Sequence, residues 1–328
     1  VLLTAATAVI AAIVSATALG GCGSTPSHSV PVHAGDSKVR CIYTKLGAPL
    51  RQAERATGVT YNCLETFSDA DPTWAVWAKP WLTNKVYGYV SWLAAEPGRQ
   101  LILTQNLIPD SLAGDPNWAA ECASGAYDSH ATQLATNLVK AGFGYSVIRL
   151  GPEMNGTWNS GSLGGTPASW KEWGQCFAQE VRTMRAVPGS HLMFDWNVNA
   201  SYRNIPLADF YPGNAYVDII GIDFYDTSGV SLPPVGNPGR WTALSRQPDS
   251  LMEVAAFAAA HHKPLSFPEW ATVNSEGDDA AYVTSMGAFI AHHDVAFQSW
   301  FDAGDNGILQ LSPSGAPRSL RAYIKAFG

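Results

Sequence analysis

The feature that most limits the possible folds of this chain is a regular alternation of short apolar segments with longer amphipathic ones. Such a β–α rhythm is the sequence signature of a parallel sheet covered by helices. The predicted strands are Val39–Lys45, Thr60–Glu65, Gln100–Gln105, Tyr145–Leu150, His191–Asn197, Val217–Phe224, Pro264–Glu269 and Ala296–Phe301. The sequence therefore predicts an α/β protein with eight strands.

Two of the intervening segments have clear helical character. Ala168–Val187 ends before a Pro-Gly pair, and Ser250–His262 follows Asp249, which can cap it. Eight β–α units fit a (β/α)8 barrel, for which about 250 residues is typical. A doubly wound sheet is the alternative, but no glycine-rich phosphate loop follows the first strand. We therefore predict a single-domain (β/α)8 TIM barrel over residues 38–328.

The N-terminal residues predict export. Residues 1–21 carry no charge and end in Leu-Gly-Gly before Cys22, which is the pattern of a bacterial lipobox whose cysteine becomes lipidated. A plain signal peptide and a membrane anchor are the alternatives, because the apolar run could span a bilayer. We expect residues 1–22 to be a lipoprotein signal and 23–37 a flexible tether. The missing basic segment and Val1 are expected if the start is truncated or was read from a non-ATG codon.

The other cysteines are consistent with a protein that lies outside the cytoplasm. We expect it to be either anchored to the cell membrane by lipid or secreted. Cys41, Cys63, Cys122 and Cys176 remain once Cys22 is assigned to lipid. An even number in an exported protein indicates two disulfides, for which three pairings are possible. We favour Cys41–Cys63 with Cys122–Cys176, because the first two lie on strands that we predict to be adjacent.

Composition and charge exclude several classes of partner. The formal net charge is −7 and the 20 Lys and Arg residues are scattered, so we expect no nucleic-acid partner. The chain has no CxxC or HExxH motif, and its paired histidines are adjacent in sequence rather than at ligand spacing. We therefore predict no metal and no cofactor. The 12 Trp, 12 Tyr and 12 Phe residues favour sugar binding, although most aromatic residues in any domain belong to its core. We also expect the protein to be a monomer.

Polar residues collect where the predicted strands end, and in a barrel these ends form the active-site face. The fourth strand leads into Glu153 and the seventh ends at Glu269, and both are flanked by Pro, Gly or Trp. A retaining glycosidase needs such a pair, because one carboxyl group protonates the leaving oxygen and the other attacks the anomeric carbon. Glu153 and Glu269 are therefore the candidate catalytic residues.

Four motifs resemble glycoside hydrolases of clan A and, within that clan, family 26, which includes β-mannanases and some β-glucanases and xylanases. These motifs are Arg149–Trp158 (RLGPEMNGTW), Phe194–Asn197 (FDWN), Asp218–Tyr225 (DIIGIDFY) and Pro268–Ala271 (PEWA). The resemblance covers most of the chain. It implies a β-linked polysaccharide as substrate, with Glu153 as the acid/base and Glu269 as the nucleophile.

One position departs from the family pattern. Family 26 members have a histidine immediately before the acid/base, whereas this chain has Pro152. Proline offers neither a side-chain donor nor a backbone N–H. The resemblance therefore does not extend to mannan specificity, although it leaves the two-carboxylate chemistry intact.

Other side chains at the strand ends are predicted to support this chemistry. Alternation along the fourth strand puts Arg149 on the face of Glu153, where it is expected to hold a carboxylate ionised or to form a structural ion pair. Tyr225 resembles the clan's tyrosine that bonds the nucleophile; an ordinary core tyrosine is the alternative. Trp158, Trp196, Trp270 and Trp300 are candidate platforms for sugar rings, although at least one or two of them should instead pack at the rim of the barrel. The predicted substrate-binding residues are Arg149, Asn155, Trp158, Trp196, Asn197, Tyr225, Trp270 and Trp300.

The predicted reaction requires Glu153 to hold a proton while Glu269 is ionised. A nearby anion would achieve the first condition, and a cation with a tyrosine hydroxyl the second. Two other functions stay open: an inactive surface lipoprotein that binds glycans, and a transglycosylase that remodels envelope glycan. The inactive binder has no need of both glutamates. The transglycosylase shares the covalent intermediate and differs in whether a sugar or water intercepts it.

Overall fold

Eight parallel strands close into a barrel in which each strand pairs with the next along the chain and β8 pairs with β1. The structure is a computed structural model that describes residues 39–68, 71–227, 231–304 and 307–328. The strands are β1 (Cys41–Tyr43), β2 (Cys63–Phe67), β3 (Gln100–Gln105), β4 (Val147–Leu150), β5 (Met193–Asn199), β6 (Ile219–Asp223), β7 (Leu265–Trp270) and β8 (Val295–Phe301). The predicted TIM barrel is confirmed, and each predicted strand overlaps an observed one.

Helices alternate with the strands around the outside of the barrel. Those in the described ranges are α1 (Ala48–Thr57), α2 (Trp74–Trp77), α3 (Tyr89–Ala95), α4 (Trp118–Ala123), α5 (Asp128–Ala141), α6 (Pro167–Arg185), α7 (Arg240–Ser245), α8 (Leu251–Ala260), α9 (Ala280–His292) and α10 (Pro317–Phe327). Both predicted helices are present, as α6 and α8. The cap predicted for α8 is wrong, because Asp249 accepts from the Ile205 N–H and the Ser250 hydroxyl donates to the Leu244 carbonyl.

Two apolar regions hold the fold together. The larger one fills the space between strands and helices, and the smaller one lies inside the barrel at its N-terminal end. The inner cluster consists of Cys41, Cys63, Ile102, Val147, Ile219, Ala296 and Phe297. Two residues further along their strands come Glu65, Thr104 and Arg149, which point into the barrel by the same alternation. The interior therefore changes from apolar to polar toward the C-terminal ends of the strands.

Both predicted disulfides are confirmed. Cys41 and Cys63 are register partners on β1 and β2, and Cys122 on α4 is bonded to Cys176 on α6. The bridged residues are 22 and 54 positions apart in sequence. By loop-closure entropy alone, bridges of these lengths stabilise a fold by about 3 and about 4 kcal/mol.

The predicted signal at residues 1–22, its lipidation at Cys22 and the tether at 23–37 lie outside the described residues. Among the helices of the described ranges, none combines the length and the apolar character that crossing a membrane requires.

Candidate active site

Glu153 is held at the mouth of the barrel by a tight backbone turn that follows β4. Gly151 has a φ of 59° and Glu153 a φ of 46°, and this left-handed conformation is uncommon for a non-glycine residue. A Cβ at Gly151 would lie 2.9 Å from a ring carbon of Trp173, so the turn depends on glycine. Backbone strain of this kind is concentrated at functional sites.

Three neighbouring side chains orient Glu153. Asn199 Nδ2 donates to one carboxyl oxygen, and Trp158 Nε1 donates to the other at 2.5 Å. The Glu153 N–H donates to Asn197 Oδ1 at 3.2 Å. Asn155 fixes Asn199 in turn, because it donates to the Asn199 carbonyl and accepts from its N–H, each at 2.8 Å. The carboxyl group of Glu153 is therefore held in one orientation by residues of β5 and of its own loop.

Glu269 is held by donors from β4 and from the segment that follows β6. Arg149 Nη1 donates to Oε1 at 2.5 Å, and the Tyr225 hydroxyl donates to Oε2 at 2.8 Å. Its own N–H donates to Asp223 Oδ1 at 3.1 Å. Both carboxylate oxygens thus receive a hydrogen bond, one of them from a cation. These contacts favour the ionised form of a carboxyl group.

The two glutamates face each other across the barrel mouth. One carboxyl oxygen from each of Glu153, Asp223 and Glu269 lies within 4.8 Å of the other two. Three carboxylates at this spacing could hold a cation, but the Arg149 guanidinium already pairs with Asp223 and Glu269. The arrangement brings two carboxyl groups close together in different surroundings.

The surroundings of Glu153 raise the pKa of its carboxyl group. Burial raises the pKa of Glu153 above its ordinary value, and the nearby Glu269 raises it further, against the opposing effect of Arg149. Burial also raises the pKa of Tyr225 well above that of a free tyrosine, so its hydroxyl remains a hydrogen-bond donor. The site therefore favours the protonated form of Glu153, and both oxygens of the neighbouring Glu269 accept hydrogen bonds.

Three of the predicted sugar platforms are wrong. Trp196, Trp270 and Trp300 are fully buried, so they present no surface to a ligand. Trp196 packs against Phe210 and Phe257, and Trp270 packs against Trp300 and residues of α10. Alternation explains this outcome, because Asn197 and Glu269 point inward and their neighbours must point to the helices.

Three other predicted substrate-binding residues contact the two glutamates or the residues that orient them. Arg149, Asn155 and Asn197 are buried. Their partners include one another, the side chains of Glu65, Thr104, Asp223 and Glu269, and the backbone of Glu153 and Asn199. The alternative of a buried ion pair therefore holds for Arg149, and that pair includes Glu269. The side-chain hydroxyl of Tyr225 does contact Glu269, as the resemblance implied.

Trp158 is the predicted tryptophan that faces solvent at the mouth, with 51% of its surface exposed. Its ring meets that of Tyr202 edge to face, with centroids 4.7 Å apart. Tyr202 was not predicted. It follows β5 in a loop that has no strand periodicity, so no pattern marked it.

A cavity of about 320 Å³ opens beside the loop that carries Glu153. Tyr43 and Phe301 stack with centroids 4.1 Å apart on one wall, and Phe67 meets Tyr43 edge to face. Its lining residues are Tyr43, Phe67, Ser68, Thr104, Asn106, Pro152, Asn159 and Phe301, none of which carries a charge. The three aromatic residues were missed, although each is the last inward-facing residue of its strand.

Comparison with known proteins gives one family match. Residues 126–255 match the family model described as glycosyl hydrolase family 26. This segment contains Glu153 and ends before Glu269. Among curated proteins, none matches the sequence at a significant level.

Solved structures of mannanases share the fold. An endo-β-1,4-mannanase double mutant from Cellulomonas fimi is 17% identical, with a TM-score of 0.59 over 88% of this chain and 70% of that one. A family 26 β-mannanase from Bacteroides ovatus is 11% identical, with a TM-score of 0.58 over 88% and 87%. A Bacillus subtilis mannanase is 15% identical, with a TM-score of 0.56 over 86% and 84%. At these identities the likeness shows that the chain shares the barrel fold of these enzymes.

Proposed function

We propose that the chain is an exported glycoside hydrolase of family 26 that cleaves β-linked polysaccharide with retention of configuration. One observation carries the proposal: Glu153 and Glu269 face each other in surroundings that favour a proton on the first and a negative charge on the second. Their carboxyl oxygens approach within 4.8 Å, which fits the ~5–5.5 Å spacing of retaining enzymes better than the ~6.5–9.5 Å of inverting ones. The family match over residues 126–255 supports the same reading.

In the first step, a carboxylate oxygen of Glu269 attacks the anomeric carbon and the glycosidic C–O bond breaks. The proton of Glu153 moves to the departing oxygen, so the leaving group departs as an alcohol. Arg149 and Tyr225 orient Glu269 for the attack. The product of this step is a glycosyl ester on Glu269, with Glu153 now ionised.

In the second step, ionised Glu153 removes a proton from water while the water oxygen attacks the anomeric carbon. The ester C–O bond breaks and Glu269 regains its charge. Two inversions at one carbon leave its configuration unchanged. Interception by a sugar hydroxyl instead of water would make the same site a transglycosylase.

Two aromatic surfaces near the glutamates fit a neutral sugar chain. Aromatic faces stack on the apolar faces of sugar rings. The cavity walled by Tyr43, Phe67 and Phe301 would take one part of the chain, and the exposed pair Trp158 and Tyr202 the other. The described residues that line the cavity are uncharged, so we favour β-mannan or another uncharged β-glycan over an acidic polymer.

A substrate screen tests the function. Purified protein is incubated with mannan, xylan, mixed-linkage glucan and envelope polysaccharide, and new reducing ends are measured. We expect release from at least one neutral β-glycan and none from a Glu153→Gln/Glu269→Gln double variant. Binding without release by the unmodified chain would instead favour a glycan-binding lipoprotein, and products longer than the substrate would favour transglycosylation.

We further propose that residues 1–22 direct export and that lipid on Cys22 anchors the barrel through the 23–37 tether. The support is the uncharged apolar run that ends in Leu-Gly-Gly-Cys, together with two disulfides that suit an oxidising compartment. Expressed in a host that lipidates exported proteins, the Cys22→Ala variant should lose acyl labelling and leave the membrane fraction. Unchanged labelling would contradict the anchor.

A further inference from the structure

The barrel interior beneath the two glutamates holds a carboxyl group that the proposed reaction does not use. Glu65 on β2 is fully buried. Its Oε1 accepts from Arg149 Nη1 at 3.3 Å and from the Thr104 hydroxyl at 3.2 Å. Arg149 Nη1 is the same nitrogen that donates to Glu269 at 2.5 Å. One guanidinium nitrogen therefore connects Glu65 to the proposed nucleophile.

The carboxyl groups around Arg149 outnumber its single positive charge. The Arg149 guanidinium contacts three buried or nearly buried carboxyl groups, those of Glu65, Asp223 and Glu269. Three adjacent carboxylates around one cation would leave uncompensated negative charge away from water, which is strongly unfavourable. A proton on one of the three removes part of that charge.

Hydrogen bonding indicates which group holds the proton. Asp223 accepts from Arg149, from Asn197 Nδ2 and from the Glu269 N–H, and both oxygens of Glu269 have donors. In contrast, Glu65 Oε2 has no hydrogen-bond partner among the described residues. Burial raises the pKa of Asp223 as well, but both of its oxygens have donors, and donors favour the ionised form of a carboxyl group. Glu65 is therefore the member of the set that is least supported as an anion.

The environment of Glu65 points the same way. Burial raises its pKa, Arg149 lowers it and Glu269 raises it again, with a result of about 8. The hydroxyls of Ser299 on β8 and Thr104 lower the pKa of Glu65, although by less than burial raises it. Neither Glu65 Oε2 nor the Ser299 oxygen has a partner in the described ranges, and a proton on Oε2 would let Glu65 donate to that oxygen.

We propose that Glu65 is a positioning residue that holds a proton at neutral pH, so that it anchors Arg149 without drawing its charge away from Asp223 and Glu269. The inference rests on the proposed role of Glu269 as nucleophile. When Glu65 ionises at higher pH, it competes with Glu269 for Arg149 Nη1, and the orientation of the nucleophile is weakened.

Several other groups share the interior with the Glu65–Arg149 pair. The neighbouring strands and the segments that follow them contribute the titratable or charged side chains of Tyr43, Glu153, Asp195, Asp223, Tyr225 and Glu269. None of these groups is a cation, so Arg149 carries the positive charge among them. The proton of Glu65 therefore cannot be replaced by another positive group within the described interior.

The first test needs no substrate. Unfolding equilibria of the unmodified protein and of Glu65→Gln are measured in denaturant between pH 5 and pH 8. A carboxyl group whose pKa is about 8 when folded and near 4.5 when unfolded releases a proton on unfolding in this range. The unfolding constant of the unmodified protein, relative to Glu65→Gln, should therefore rise by up to about tenfold per pH unit.

The control is Glu172→Gln on α6, outside the barrel interior, for which this ratio should stay constant. A constant ratio for Glu65→Gln, or one that falls with pH, would overturn the proposal. Failure of Glu65→Gln to fold would overturn it too, because a neutral amide should replace a neutral acid of the same shape.

The second test follows the pH profile of kcat/KM for Glu65→Gln. The substrate is a dinitrophenyl β-glycoside of the sugar found in the screen, because its leaving group departs without help from Glu153. We expect the alkaline limb to move to higher pH and the acid limb to stay in place. A purely structural role would lower the rate equally at every pH, and a shift of the acid limb to lower pH would show that Glu65 is an anion. If the chain proves inactive, the unfolding series still decides the state of Glu65.

Discussion

Replacement of Glu269 by alanine should lower polysaccharide hydrolysis by about 10⁶-fold, the size of effect seen when a covalent nucleophile is removed from an enzyme. Without this carboxylate no stepwise path through a glycosyl ester remains, although Glu153 can still donate its proton. The measurement is the rate of reducing-end release at saturating polysaccharide, followed over days for the variant.

Glu172→Ala on α6 is the matched control, since it removes a glutamate away from the mouth and should keep the unmodified rate. Circular dichroism of both variants verifies that the barrel is intact. Arg149 loses one of its three carboxylate partners in Glu269→Ala, so this check matters. A folded Glu269→Ala variant that keeps substantial activity would mean that the catalytic pair lies elsewhere.

Glu153→Ala should lose about 10²–10⁴-fold on polysaccharide, the range that general acid–base catalysis contributes. The loss should be much smaller in the first step with a dinitrophenyl glycoside, whose leaving group needs no proton. Added azide should then restore part of the turnover, because it attacks the glycosyl ester on Glu269 without deprotonation.

The configuration of the glycosyl azide distinguishes the roles of the two residues. Retention at the anomeric carbon, read by proton NMR, is expected if Glu269 forms the covalent bond. Rescue of Glu269→Ala with inverted configuration is compatible with its role as nucleophile, whereas rescue of Glu153→Ala with inversion would refute the double displacement. Exchanged behaviour of the two variants would exchange their roles.

The barrel and both disulfides could be predicted from sequence because they depend on periodicity. Strands buried on both faces read as short apolar runs, and eight of them with helices between leave few topologies. Cys41 and Cys63 near the starts of neighbouring predicted strands made their pairing foreseeable. Glu153 and Glu269 were proposed in the same way, from their position at strand ends.

The supporting residues were harder to assign because residue type does not show which way a side chain points. Trp196, Trp270 and Trp300 suggested sugar platforms, yet each lies one position away from an inward residue and packs under the helices. Arg149 was placed on the face of Glu153, but its long side chain reaches across the barrel to Glu269. Tyr202 comes near Trp158 only through loop folding.

A barrel has one seam, where its first and last strands meet without a short connection between them. Here the first strand, β1, is only three residues long and pairs with β8 through Cys41, Ile42 and Tyr43. The Cys41–Cys63 disulfide links that short strand covalently to β2, so β1 is held on the side away from the seam. The stacked pair Tyr43 and Phe301 sits across the same seam and walls the cavity. Reduction of the Cys41–Cys63 bridge is therefore expected to weaken first the wall of the cavity that Tyr43 forms, whereas Glu269 lies on β7, one strand away from the seam, and Glu153 follows β4 on the other side of the barrel.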